Sequence, residues 1–293
     1  IEHIDVTEKS VKIIINSEMT RQNKMITDLW SHFIARDSKI ESCSVIYTKH
    51  NSPTLKKDVP SVNANLMNKF DLSHLGKIIF VASGKGGVGK STVSSNIAAS
   101  IAELGFKVGL MDADIYGPSQ PKMLGLAGSK VEILNKKIQP KKIGNLSMMS
   151  MGMLFPEHEA IIWRGPMLMK AIQQLLLDVS WGDQDYFIVD LPPGTGDIHI
   201  TLAQKVLISG AIVISTPQDM SLIDAKKAIK LFSKTNTKIL GLIENMSYFE
   251  CSNCGEKHDI FSNGGVEKIT KSEKLPYLGR IPLIKEIMEC ADN

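Results

Sequence analysis

The chain lacks a concentration of charge of either sign. Across 293 residues, 34 lysines and arginines stand against 31 aspartates and glutamates, a net charge of +3. No basic face suited to nucleic acid is therefore expected. The short runs Lys136-Lys137 and Lys141-Lys142 read as solvated loops. No stretch reaches the roughly 18 uninterrupted apolar residues that a membrane span needs, so no membrane partner is expected. The start, Ile1-Glu2-His3-Ile4-Asp5, has no basic region followed by an apolar one and is not expected to be a secretory signal. It has no initiator methionine either, the expectation for a fragment or a processed form. Cysteine is scarce: Cys43, Cys251, Cys254 and Cys290 are too few for a disulfide framework at this length. The expected compartment is reducing and cytoplasmic, where a close cysteine pair points to metal or redox work. Internal repeats and low-complexity tracts are absent as well.

What is present suffices for a full core, with 43% hydrophobic residues. Length allows one large domain or two modest ones. Residues 1–50 read as a small α/β fragment, with strand patterns over 11–15 and 43–47 and helix-spaced apolar residues over 24–34. Residues 51–75, which hold Asn51-Ser52-Pro53 and Val59-Pro60-Ser61, read as a linker. From 76 to 293, apolar strands alternate with helical patterns. The expected strands cover residues 77–83, 107–112, 146–151, 186–190, 211–216, 238–244 and 277–281; the main helices cover 90–104, 167–179 and 221–234. Near-continuous Ile, Val and Leu runs fit strands covered on both faces. The expected fold is α/β, a doubly wound, mostly parallel sheet. The methionine-rich run Met148-Met149-Ser150-Met151-Gly152-Met153 fits a core strand and loop rather than a metal site.

The first of the expected strands runs directly into Gly84-Lys85-Gly86-Gly87-Val88-Gly89-Lys90-Ser91, and that loop runs into a helix. Strand, glycine loop and helix in this order form a phosphate loop. The glycines let backbone N–H groups approach phosphate oxygens, and the helix turns its positive end toward the same anion. Lys90 is expected to reach the β- and γ-phosphates of ATP, and the Ser91 hydroxyl to complete the shell of Mg²⁺. Gly109-Leu110-Met111-Asp112-Ala113-Asp114 ends a second strand with two carboxylates at alternating positions, expected on one side. One would hold a Mg²⁺-bound water and the other orient the attacking water. Ile188-Val189-Asp190 ends a third strand in a Walker-B position near Mg²⁺, and Pro192-Pro193-Gly194-Thr195-Gly196 follows as a switch loop.

Cys251-Ser252-Asn253-Cys254-Gly255 lies beyond the strand ending near Glu244. Two cysteines at this spacing read as half a zinc site, a redox dithiol, part of an iron–sulfur site or two incidental thiols. Zinc and cubane clusters ordinarily take four ligands. This chain has no second Cys-x-x-Cys, and His258 and Cys290 are the further candidates. A two-fold dimer presenting one pair per subunit also supplies four thiolates. Cys43, on an apolar strand, is expected to be a core thiol.

The string Gly-Lys-Gly-Gly-Val-Gly-Lys-Ser resembles the deviant phosphate loop of the MinD/ParA/nitrogenase-iron-protein superfamily. That resemblance implies that Lys85 reaches across a homodimer to the partner's nucleotide, and it favours Asp114 for the water-orienting role. Longer strings are similar to the Mrp/ApbC iron–sulfur cluster carrier ATPases over about residues 74–290: Asp112-Ala-Asp-Ile-Tyr-Gly-Pro-Ser, Trp163-Arg-Gly-Pro-Met, Asp190-Leu-Pro-Pro-Gly-Thr-Gly-Asp, Thr216-Pro-Gln-Asp and Glu244-Asn-Met-Ser-Tyr-Phe-Glu-Cys-Ser-Asn-Cys-Gly. The resemblance implies slow ATP hydrolysis. It also implies a labile [4Fe–4S] cluster held by Cys251 and Cys254 between two subunits and passed to apo-proteins, and an adenine contact from Asn245. The nucleotide set it implies is Gly84, Lys85, Gly86, Gly87, Val88, Gly89, Lys90, Ser91, Thr92 and Asn245, with Ser91, Asp112 and Asp190 around Mg²⁺. Trp163-Arg164-Gly165-Pro166 is expected to line the dimer cleft.

Residues 1–50 resemble the tail of the small cluster-biosynthesis domain that often precedes this ATPase. Where that domain usually carries Cys-Pro, this chain reads Ser17-Glu18-Met19-Thr20, so a degenerate packing or docking module is expected. A MinD/ParA-like positioning ATPase with a structural zinc site is the alternative. Its usual basic amphipathic tail is missing from the ending Lys285-Glu-Ile-Met-Glu-Cys-Ala-Asp-Asn. A nitrogenase-type electron carrier fails at the cysteines, which in that family are widely separated.

Overall fold

A computed structural model describes residues 3–6, 10–16, 42–48, 69–154, 165–251 and 253–292. The chain divides into two compact units, residues 1–64 and 65–293. The first holds a three-stranded sheet of β1 (His3–Val6), β2 (Ser10–Asn16) and β3 (Ser42–Thr48). β1 pairs antiparallel with β2, and β2 pairs parallel with β3. The β-branched run Val11-Lys12-Ile13-Ile14-Ile15 accounts for the central strand. The helix expected over 24–34, the Ser17–Thr20 segment, most of the 51–75 linker and Trp163-Arg164 lie outside the described residues.

The second unit is an eight-stranded sheet. Its strands are β4 (Lys77–Ser83), β5 (Val108–Asp112), β8 (Lys141–Ile143), β9 (Leu146–Ser150), β10 (Tyr186–Asp190), β11 (Gly210–Ser215), β12 (Ile239–Glu244) and β15 (Tyr277–Arg280). They lie in the order β15-β12-β11-β4-β10-β5-β9-β8, every pair parallel except β8 with β9. Two small hairpins stand outside it: β6 (Glu132–Leu134) with β7 (Lys137–Gln139), and β13 (Phe249–Glu250) with β14 (Lys257–His258). The helices are α1 (Lys90–Glu103), α2 (Gln120–Met123), α3 (Gly165–Leu177), α4 (Asp197–Lys205), α5 (Asp219–Lys234), α6 (Gly265–Glu273) and α7 (Lys285–Asp292). No helix among the described residues is long and apolar enough to cross a membrane.

Alternation along β4 shows how the sheet is covered on both faces. Ile78, Phe80 and Ala82 join one apolar cluster with residues of α3, α5 and α6, while Val81 joins a second with Val93 and Ala98 of α1. Met148, Met149 and Met151 are all buried in these clusters, as a core strand requires. The chain steps from β4 over to β5 and β9, returns to insert β10 between β4 and β5, and then builds β11, β12 and β15 on the far side. That reversal beside β4 is a topological switch point, which opens a crevice at the carboxyl ends of the strands.

Candidate functional site

Neighbouring strand register builds the site before any side chain is considered. Asp190 on β10 is level with Asp112 on β5 and with Val81 on β4, and Asp112 is level with Ser150 on β9. Residues level with one another in a parallel sheet point to the same face. Ser150, Asp112 and Asp190 therefore form one row at the carboxyl edge. The row is wholly buried.

Lys90, the first residue of α1, reaches into this row. Its Nζ lies 2.5 Å from Asp190 Oδ1 and 3.8 Å from Asp114 Oδ2, and it donates to Ser91 Oγ at 3.3 Å. Burial pushes the Asp112 carboxyl up to about 7, with the neighbouring Asp190 charge adding to the rise. Ser150 Oγ offsets part of it by donating to Asp112 Oδ2 at 2.9 Å. Burial likewise raises Asp114 above the usual carboxylate range, against the pull of Lys90.

The sequence pattern placed Asp112 and Asp114 on one strand. The strand stops at Asp112, because its Oδ1 accepts the backbone N–H of Asp114 at 3.1 Å and turns the chain. Asp114 comes back toward Lys90 from the loop, so both carboxylates still reach the lysine's surroundings.

The phosphate loop encloses an open cleft of about 260 Å³ lined by Lys85, Gly87, Lys90, Ser91, Thr92 and Asp114. Gly89 caps α1 with a left-handed φ of 77° and no side-chain hydrogen bond, which leaves the first-turn N–H groups facing the cleft. A Cβ at Gly89 would also collide with the Asn245 amide, and one at Gly84 with the Asp224 backbone. Ser83 O accepts the N–H of Gly194, which ties the Pro192–Gly196 loop to the phosphate loop. Lys85 is exposed and makes no ion pair among the described residues. Buried carboxylates, a hydroxyl and unbonded N–H groups at one crevice fit a phosphate chain with its divalent cation.

Asn245, directly after β12, is buried and donates from Nδ2 to Val88 O at 2.8 Å. It therefore touches the phosphate loop at one end of the segment that carries the cysteines. Glu244, also buried, accepts from Ser247 Oγ at 2.5 Å and from the N–H of Val266 at 2.9 Å. Ser247 and Tyr248 are tied onward to Ile281 and Leu283 by backbone bonds. Tyr248 packs between Lys257 and Arg280, 5.0 and 4.9 Å from its ring centre.

The hairpin of β13 and β14 then presents Cys251 and Cys254. Cys251 N donates to Glu256 O, and Gly255 N donates to Cys251 O at 2.8 Å, with Gly255 at φ 71°. The Cys251 thiol is held below its ordinary value chiefly by the backbone N–H of Cys254, then by that of Asn253 and by the Cys254 thiol. His258 belongs to β14 rather than to a loop, is exposed, and lies 3.8 Å from Glu256. Cys290 is exposed on α7. Neither joins the pair, because no group of three or more metal-ligating side chains exists among the described residues. The side chain of Cys43 lies outside them.

Three buried groups escaped the sequence patterns. Gln120 and Ser150 both bond the aspartate row. His199, on α4, is buried with both ring nitrogens unpartnered among the described residues. Burial depresses it to about 4, although nearby carbonyls of Pro192 and Gly196 favour its protonated form. Pro121, at the start of α2, was the available signal that Gln120 opens a helix. Nothing local marks Ser150 or His199.

Comparison with known proteins identifies the family. The family model described as ParA, NUBPL iron-transfer P-loop NTPase, matches residues 74–293. An iron–sulfur cluster carrier protein of Aquifex aeolicus is 48% identical over 218 residues, 74% of this chain and 60% of that protein. One from Pseudomonas fragi is 46% identical over 224 residues, 76% of this chain and 78% of its own. The chain thus spans about 60% of the length of the Aquifex relative. Among solved structures, a nucleotide-binding protein of Archaeoglobus fulgidus in complex with ADP is 37% identical with a TM-score of 0.67, covering 75% of this chain and 87% of that one. The MinD cell division ATPase of Pyrococcus furiosus shares the fold, with a TM-score of 0.53 at 21% identity, over 74% of this chain and 87% of its own. From residue 74 onward, then, the chain belongs to the iron-transfer P-loop NTPase family, with the iron–sulfur cluster carriers among its relatives.

Proposed function

We propose that this protein hydrolyses ATP with Mg²⁺ and carries a [4Fe–4S] cluster that two copies of the chain hold between them and pass to apo-proteins. The observation that carries the reading is the segment from Asn245 to Cys254. One end is hydrogen-bonded to the Val88 carbonyl of the phosphate loop, and the other presents a Cys251 thiol kept toward its thiolate form by backbone N–H groups. A nucleotide entering the loop competes for the same Asn245 amide, and the cysteine hairpin feels the change.

In this reading Lys90 and the first-turn N–H groups of α1 bind the phosphates, and Ser91, Asp112 and Asp190 surround Mg²⁺. Asp114 orients the attacking water, as its place beside Lys90 at the cleft permits. Mg²⁺ supplies charge neutralisation on the β- and γ-oxygens when bound. Lys85, exposed and without an ion pair among the described residues, is available to a second copy's nucleotide. Two thiols per chain make half of a four-thiolate site, which is the chemical case for the dimer.

Anaerobic reconstitution with iron and sulfide tests the cysteine assignment. The wild-type chain is expected to give a visible iron–sulfur absorption with about four irons per dimer. Cys251→Ser is expected to abolish it, and a variant that loaded fully would sink the assignment. Zinc in place of iron in the anaerobically purified protein would instead favour a positioning ATPase with a structural zinc site.

A further inference from the structure

Gln120 is a buried side chain that none of the sequence motifs employs. It opens α2, and its Nε2 donates to Asp190 Oδ2 at 2.9 Å, to Ser91 O at 3.0 Å and to Ser94 Oγ at 3.4 Å. Its backbone N–H donates to Asp112 Oδ2 at 3.3 Å. One residue thus joins the start of α1 to the ends of β5 and β10. The Ser91 carbonyl and the Asp190 carboxylate can only accept, so the amide has a single allowed orientation. Its Oε1 is left buried with no donor among the described residues. A buried carbonyl oxygen without a donor is destabilising, and natural sites keep such an atom for a ligand or a water.

We propose that Gln120 is a positioning residue for the cation. Its NH₂ group holds the Asp190 carboxylate against the start of α1, and its Oε1 accepts a hydrogen bond from a water in the Mg²⁺ shell. The inference rests on the reading of Ser91 and Asp190 as the cation site. It adds a division of labour between the two oxygens of Asp190. Oδ1 is bonded to Lys90 and must be freed when the lysine turns to phosphate, whereas Oδ2 stays fixed by Gln120 throughout. Mg²⁺ usually keeps several of its waters, and each needs an acceptor behind it. Oε1 belongs to the same amide whose NH₂ bonds Asp190 Oδ2 and the Ser91 carbonyl, so it is an acceptor close to both expected cation-binding residues.

Isothermal titration of ADP with and without Mg²⁺ tests this on Gln120→Met, which keeps the length and removes both hydrogen-bonding functions. The wild type is expected to bind ADP more tightly when Mg²⁺ is present. In Gln120→Met that enhancement is expected to fall about tenfold, the usual effect of losing a partner behind a metal shell, with a smaller loss of metal-free ADP affinity. Gln120→Asn, with its amide one carbon shorter, is expected to fall between the two, and it carries the same comparison if the methionine variant does not fold. Equal weakening with and without Mg²⁺, or no weakening, overturns the role of Gln120. A wild type with no Mg²⁺ enhancement overturns the cation-site reading itself, and the Gln120 role with it.

Discussion

The aspartate row around Lys90 and the cysteine hairpin stand at opposite extremes of finish. Around Lys90 every charge has a partner in the same chain: Asp190 is shared by Lys90 and Gln120, Asp112 by Ser150 and two backbone N–H groups, and Lys90 itself is only 5% exposed. The hairpin has two thiols, one half-buried and one exposed, two-residue strands, and aromatic–cation contacts at its root. Chemistry on phosphate needs fixed charges in a dry place, because electrostatic stabilisation is strongest where nothing must reorganise. A site that receives and releases cargo needs access and an incomplete ligand set. The difference teaches what the proposed function asks of each: the aspartate row is complete within one chain, and the hairpin is proposed to be completed by a second copy.

Lys90→Ala should break the comparison most severely. It strips the buried Asp190 of its counter-charge, an effect on the order of 3–5 kcal/mol for an uncompensated buried charge. Phosphate release is expected to fall at least about a hundredfold, the scale of losing a preorganised donor. Cluster transfer by Lys90→Ala equal to that of wild type would show that the hairpin does not depend on the nucleotide site.

His199→Leu sharpens the comparison through pH. The ring titrates near 4 in the fold against 6.5 when free, so the folded state binds fewer protons than the unfolded one between those values. Stability from this residue is therefore complete above about 6.5 and is lost as pH falls through 4, a change of about 3 kcal/mol. Urea unfolding across that window should show a steep loss in wild type and a much shallower one in His199→Leu. Identical slopes would mean that the ring has found a partner.

The smallest effect is expected at the link between the two regions. Asn245→Ala removes one hydrogen bond to Val88 and should lower stability by about 1 kcal/mol. It should also weaken ATP-dependent change in the hairpin, read as alkylation rate at Cys254 with and without nucleotide. Unaltered nucleotide dependence in the variant would remove Asn245 from the connection.

Much of this was legible in the sequence. The glycine loop between a strand and a helix, the carboxylate-ended strands and the Cys-x-x-Cys segment are local strings, and local strings report local backbone demands. β4 and β10 fall where their apolar runs do, and other expected strands shift by a residue, as where the Ser150 hydroxyl accepts the N–H of Gly152 and ends β9 one residue early. The two hairpins were not anticipated, because two- and three-residue strands leave no periodic signal.

By itself the sequence determined the α/β class, the phosphate loop, and the close thiol pair of Cys251 and Cys254. Only the tertiary structure decided that Ser150, Asp112 and Asp190 form one buried row, that Gln120 and His199 lie beside the working loops, and that Asn245 reaches Val88 across 157 positions of chain. The physical reason is that strand register and burial are set between distant segments. A carboxylate's proton affinity and a glutamine's missing donor exist only once those segments have met.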